Sequence, residues 1–304
     1  MNMQNVISFN NATGANFPEL DKTGFTAKFH PIELSGFATK INDKKAVIRT
    51  DTNEPLGIVG NTYGIAQNQE LRNQLIESCE KVLPREYMRD ITLSEFTSGG
   101  GAFTRFEFTF PNAAASIRQT INATTGRNRE TILNFKLSVI NSFNGSGCVI
   151  GKAGCVDLVC LNGMVANVYD TSKKRHTSGF DVSMFADFID EQARDYMKRV
   201  QIWQQWANRS ITPDQAETLL KEAGLSERLT KKFLEQLDKE FSDRGQNLWA
   251  VASAATYYSS HNSELFPVRN SANVDNVAFE LNKRETQITN LFNSPAWQQF
   301  AAAA

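Results

Sequence analysis

"TRFEFTF", residues 104–110, alternates aromatic and polar side chains without a break. Successive side chains of an extended chain point to opposite faces. Phe106, Phe108 and Phe110 therefore share one face, and Arg105, Glu107 and Thr109 the other. "NFKLSVINS", residues 134–142, repeats the pattern, with Phe135, Leu137 and Val139 inward and Lys136 and Ser138 outward. Two such stretches predict a sheet with one apolar face and one wet face, the mark of an antiparallel arrangement.

The strand pattern holds from about residue 25 to 180. "LGIVGNTYGIAQNQ" (56–69) reads as two short apolar runs around Asn61, a hairpin. "QELRNQLIESCEKVL" (69–83) changes to helical spacing through Leu71, Leu75, Cys79 and Leu83. After about 181 helices dominate. Phe185, Ile189, Tyr196, Val200, Trp203 and Ala207 form one stripe, with Ile202 and Trp206 beside it. "TPDQAETLLKEAG" opens with a Thr-x-x-Gln capping box, has Pro213 at its first turn and stops at Gly224. Leu229, Phe233, Leu237 and Phe241 mark the next helix. "NLWAVASAATYYSSH" and a segment near 272–292 follow. The expected fold class is α+β: an antiparallel β-sheet with packed helices in the N-terminal two-thirds, then a mostly helical C-terminal part. The expected divisions are a loose arm at 1–24, a β-rich core at 25–180 and a helical region at 181–304. The extra Trp206 surface of that region is expected to meet a second copy of the chain.

"NSFNGSGCVIGKAGCVDLVCLNGM" (141–164) raises three chemical readings and supports none of them. A phosphate loop needs Gly, four residues, then Gly-Lys-Ser/Thr; here Ala153 follows Gly151-Lys152, and Ser146 stands at the first Gly. Zinc favours close cysteine pairs; Cys148, Cys155 and Cys160 step by seven and five residues, and the chain's three histidines, His30, His176 and His261, fall at no ligand spacing. Thiol catalysis lacks a neighbouring base. The stretch is therefore read as strands "GCVI" and "CVDLVCL", with glycines turning between them and a helix beginning near Asn162. Val156, Leu158 and Cys160 would share a face, and the cysteines would be buried, reduced hydrophobes. Glu95, Glu107, Asp157 and Asp170 lie in strand regions, but nothing pairs them as acid and base. No catalytic residue, metal or cofactor is expected.

Hydrophobic residues make up 41% and charged residues 21% of the 304 residues, an ordinary globular balance. No apolar run nears the ~20 residues of a membrane span, and the polar, Asn-rich start does not read as a signal peptide. A cytosolic protein is expected. The net charge of −1 gives no global pull on nucleic acid, so such binding must come from local basic clusters. Three exist. "TGRNRET" holds Arg127 and Arg129, with Arg118 upstream and Lys136 on the wet side of the following strand. "TSKKRHTSGF" holds Lys173, Lys174 and Arg175 beside His176. "TKINDKKAVIR" holds Lys40, Lys44, Lys45 and Arg49. Together they predict a concave basic strip, with Tyr63, Phe143 and Phe180 able to stack on unpaired bases.

"LGIVGNTYGIAQNQE", "NSFNGSG", "VDLVCLNGMVA" and "LWAVASAATYYSSH" occur in an order that resembles the phage- and plasmid-type family known as domain of unknown function 932. The likeness falls at Leu56 to Tyr63, Asn141 to Ser146, Cys160 to Asn162 and Ala254 to His261. Phe143 and Asn144 replace the His and Asp common in that family, which removes an acid–base pair from the turn. The order of hairpin, helix, long strands and basic turn is similar to phage single-strand annealing proteins of the Erf, RecT and Red-beta kind. That resemblance implies a homo-oligomer in the host cytoplasm that binds single-stranded DNA and promotes annealing or recombination. Arg127 and Arg129 would be first contacts, and Lys173, Lys174 and Arg175 second. The rival expectation is a non-enzymatic ligand of a host protein; a third is a nuclease or other hydrolase.

Overall fold

The computed structural model describes residues 7–8, 24–33, 40–122, 126–157, 163–164, 171–177, 183–260 and 277–303. The strands are β1 (Ile7–Ser8), β2 (Ala27–Glu33), β3 (Lys40–Arg49), β4 (Pro55–Gly60), β5 (Thr92–Ser98), β6 (Phe103–Asn122), β7 (Arg127–Ser142), β8 (Val149–Asp157), β9 (Gly163–Met164) and β10 (Thr171–Lys174). The helices are α1 (Asn68–Val82), α2 (Met184–Asn208), α3 (Pro213–Glu222), α4 (Glu227–Arg244), α5 (Leu248–Ser260), α6 (Val277–Phe292) and α7 (Pro295–Ala302). The fold is α+β. A large antiparallel sheet runs β1-β5-β6-β7-β8-β10, with β9 paired to β8, and a small antiparallel sheet runs β2-β3-β4.

The alternation in 104–110 and 134–142 is realised in β6 and β7, where Phe106 faces Val139, Phe108 faces Leu137 and Phe110 faces Phe135. All six side chains are buried. They form one hydrophobic cluster with Leu71, Leu75 and Cys79 of α1 and Ile189, Tyr196 and Trp203 of α2. Tyr196 packs at a tilt against Phe135, 5.1 Å between centroids, and donates its hydroxyl to the Leu133 carbonyl at 2.9 Å. Each such ring contributes ~1.5–3 kcal/mol on burial, so this face supplies much of the driving force for folding. Pro111 cannot donate to the ladder, and the register shifts between Phe110 and Ala114.

The opposite face is not wet. Arg105, Lys136, Ser138 and Lys152 are all buried beneath α6. Arg105 grips Glu285 of α6 through both terminal nitrogens, one at 2.7 Å, and donates Nε–H to Glu107 at 2.6 Å. Lys152 donates to Asn282 at 2.7 Å and lies 3.4 Å from Glu285; Lys136 lies 3.3 Å from Glu107. Burial works to raise the Glu285 pKa, but the charges of Arg105, Lys152 and Lys136 outweigh it and hold the carboxylate well below its ordinary range. Strand alternation separates two faces; it does not reveal what covers the second.

Other expectations change with it. The run after Asn61 is not a strand: β4 pairs back onto β3, and residues 64–67 lead into α1 without regular structure. Gly151 and Gly154 do not turn the chain but lie inside β8, while β9 stands where a helix was expected near Asn162. Leu158 and Cys160 lie outside the described residues. Trp206 is not an external surface. It is 3% exposed and packs on Phe292 and Trp297, 5.4 and 5.3 Å between centroids. The helical expectations for α1 to α6 hold, and the Thr212–Gln215 capping box forms in both directions. Among the described residues, no helix is long and apolar enough to cross a membrane.

Removing one partner of a buried ion cluster leaves uncompensated charge and costs ~3–5 kcal/mol. Glu285→Gln is therefore expected to lower the urea unfolding midpoint strongly with little change in its denaturant slope, whereas Glu217→Gln, at a half-exposed surface pair with Lys221, should be near neutral.

Candidate functional site

Two stretches that carry the family likeness meet in space. β4 crosses the turn between β7 and β8 so closely that a Cβ on Gly57 would lie 2.5 Å from the Asn144 Cα. Only glycine permits that approach. The turn is held by Asn144, whose Oδ1 accepts from Ser142 Oγ at 2.9 Å and Ser146 N–H at 2.9 Å, and by Gly145 at φ 74°. Below it, Asn141 donates to the Ala66 carbonyl and to Asn68 Oδ1, both at 2.9 Å, joining the start of α1 to β7. Phe143 is fully buried against Phe25 and is not free to stack on a base.

Tyr63 closes the joint. Its hydroxyl donates to the Ser142 carbonyl, and its ring stacks on His176 at 4.9 Å with planes 22° apart. Tyr63 also bridges Thr177 in antiparallel fashion, and Gly64 N–H donates to the His176 carbonyl at 3.2 Å. Burial depresses the His176 pKa from 6.5 to about 4, so its ring is neutral near pH 7. This clasp joins two basic runs that lie far apart in sequence. On one side Lys44 of β3 faces Gly60, three residues before Tyr63, and is exposed. On the other, exposed Arg175 lies two residues before Thr177, directly after Lys173 and Lys174 of β10. The Lys173 and Lys174 side chains lie outside what the structure describes.

The third basic cluster does not join them. Arg127 and Ser142 open and close β7, separated by roughly 50 Å at ~3.3 Å per residue, so the hairpin tip lies at the far end of the sheet from the clasp. Arg127 is exposed there beside Gly126 at φ 68°. Arg118 is 84% exposed, with Glu130 at 3.9 Å. Arg129 is tied to Asp243 of α4 at 2.5 Å. Nearby, α4 and α5 frame a groove of about 600 Å³ whose lining includes Asp238, Glu240 and Asp243 together with Lys239. Lys136 is excluded as a surface contact because it lies in the ion cluster under α6. The single concave strip drawn through all three clusters is thus replaced by two separate basic regions. Phe180 lies outside the described residues.

The strand carboxylates are committed to cations: Glu95 lies 3.5 Å from Arg72, Glu107 pairs with Arg105 and Lys136, and Asp157 accepts from Arg244 at 2.6 Å. Asp170 lies outside the described residues, as does Cys160. Burial raises the thiol pKa of Cys79 and Cys155, which suits packing rather than nucleophilic chemistry. Among the described residues no group of three or more His, Cys, Asp or Glu could hold a metal ion. The clasp itself escaped the sequence reading. Tyr63 and His176 were each visible as an aromatic and a basic-flank residue, but nothing local links positions 113 residues apart.

A two-sheet α+β protein in which two of the motif stretches meet at one joint is the class defined by this geometry. Residues 55–285 match the family model described as "Domain of unknown function (DUF932)", and the chain belongs to that family. The match begins with β4, ends at Glu285 and includes both halves of the clasp. Nothing among the curated proteins and nothing among the solved structures matches the chain.

The His176 environment sets a pH dependence. The unfolded imidazole takes up a proton near pH 6.5, whereas the folded one resists until about pH 4. Between these values the unfolded state binds more protons, so stability falls as pH falls through this window, by at most ~3 kcal/mol. His176→Phe should retain a ring against Tyr63 and flatten the stability profile between pH 6.5 and 5, as read by urea unfolding at each pH.

Proposed function

We propose that the protein is a non-enzymatic single-stranded DNA-binding protein, of a kind that supports annealing in a phage or plasmid setting within the host cytoplasm. The observation that carries this reading is the Tyr63–Thr177 bridge, which ties the segment leaving the Lys44–Gly60 end of the small sheet to the segment that follows β10 and Arg175. Phosphates would meet Lys44, Arg175 and the lysines of β10, without reading base edges. Separated basic runs on a rigid joint suit a flexible, regularly charged strand better than a compact anion. Arg127 and Arg118 at the distant tip are secondary contacts in this reading, and Arg129 is already neutralised by Asp243.

The test is a titration of labelled oligothymidylate at two salt concentrations. Lys44→Ala with Arg175→Ala should weaken binding and lower the log–log salt slope by ~0.7 per lost contact, about 1.4 in all. Arg129→Ala should change the slope little. Both Lys44 and Arg175 are exposed, so folding should be preserved. Wild-type protein that binds no single-stranded DNA at low salt would overturn the proposal, and the host-protein ligand would become the better account.

A further inference from the structure

The small sheet leaves one face open. In β2 and β3 the pairs Lys28–Ile48 and His30–Ala46 lie on the same side, β4 adds Ile58 opposite Ala46, and Lys44 faces Gly60 at the rim. Lys28, His30 and Lys44 are exposed. Ile58 is 65% exposed, the most exposed of the large hydrophobic side chains among the described residues. The other side of this sheet turns Ala27, Val47 and Val59 into a core with Phe25 and Phe143. A three-stranded sheet with one buried face normally carries polar residues on the other. Here the centre of the open face is apolar and its described rim carries Lys28 and Lys44; Asp51 and Glu54 sit in the β3–β4 turn, and Glu33 and Asp43 lie at or past the register irregularity at the far end of the sheet.

We infer that this face is where the bases of the bound single strand lie, with Ile58, Ala46 and Ile48 beneath them and Lys28, His30 and Lys44 meeting the flanking phosphates. The inference rests on the DNA-binding reading above and extends it. Lys44 belongs both to this face and to the end of the sheet from which the chain runs on through the clasp. An apolar centre with a cationic border complements a polymer that has apolar base faces and a charged backbone. It does not suit a small anion, which would gain nothing from Ile58. An acidic protein surface would find the cations but would leave Ile58 facing charge.

The experiment uses the full chain and an oligothymidylate containing 4-thiothymidine, photocrosslinked and mapped by peptide mass. Crosslinks are expected in peptides spanning residues 41–60. Ile58→Glu should weaken oligothymidylate binding by at least about tenfold, because it sets a like charge beside the backbone. Ile58→Lys should strengthen binding and steepen the salt slope by up to ~0.7. Circular dichroism checks that both variants fold, as the exposure of Ile58 predicts. If wild-type protein binds and crosslinks only near residues 171–177, and both Ile58 variants bind like wild type, this face is not the platform although the DNA-binding reading stands. If wild-type protein does not bind the oligonucleotide at all, both readings fall together.

Discussion

Arg105 and Glu285 stand 180 residues apart and meet across the second face of the large sheet. Their pair, with Glu107, Lys136 and Lys152, decides how the molecule is layered. It draws α6 onto a face that β-strand alternation alone would leave in water. Once α6 is in place, both faces of the central strands are covered: one by the rings of α1 and α2, the other by a helix held through charge. Such a cluster is a poor source of net stability, since desolvating five ionic groups offsets most of their attraction. Its value lies in placement. A carboxylate at 285 is satisfied only where three cations converge, so α6 has one register and one depth.

Covering the large sheet leaves the small one to face solvent. β2, β3 and β4 bury their inner side against Phe25 and Phe143 and are locked by the glycine contact at Gly57 and by the Tyr63 hydroxyl on Ser142. Rigidity and openness therefore coincide at one place. The turn at 143–147, the clasp and the small sheet are tied together by these contacts, while Lys28, His30, Lys44 and Ile58 on the outer side stay exposed. At the opposite end, the β6–β7 hairpin tip rests near Asp243 of α4, and Arg129 is already paired with it.

The legible parts of this fold are those fixed by neighbours in sequence. Thr212 and Gln215 are three residues apart and make a reciprocal cap that follows from local geometry. The rings at 106, 108 and 110 announce a buried strand face for the same reason. Lys136 shows where such reading stops. It alternates correctly and points away from the aromatic face, yet it is buried, because what lies over it comes from a helix more than 140 residues downstream. The glycines of β8 mislead in a related way: they look like punctuation, but in the middle of a sheet they continue the strand. The tie between the segment after Gly60 and the segment after Arg175 depends on a Tyr–His stack between distant positions, and no periodicity records that.

The polarity of the α6-covered face has a consequence for how the chain is made. Translation delivers the whole of β5 to β8 long before residue 285, and for that interval the face has no cover. A greasy face in this position would be an aggregation template on a sheet of long strands. Arg105, Glu107, Lys136 and Lys152 instead keep it hydrated while it waits, and closing the long chain loop to Glu285 becomes a late step in folding. The charge that makes the finished interior costly makes the unfinished one safe.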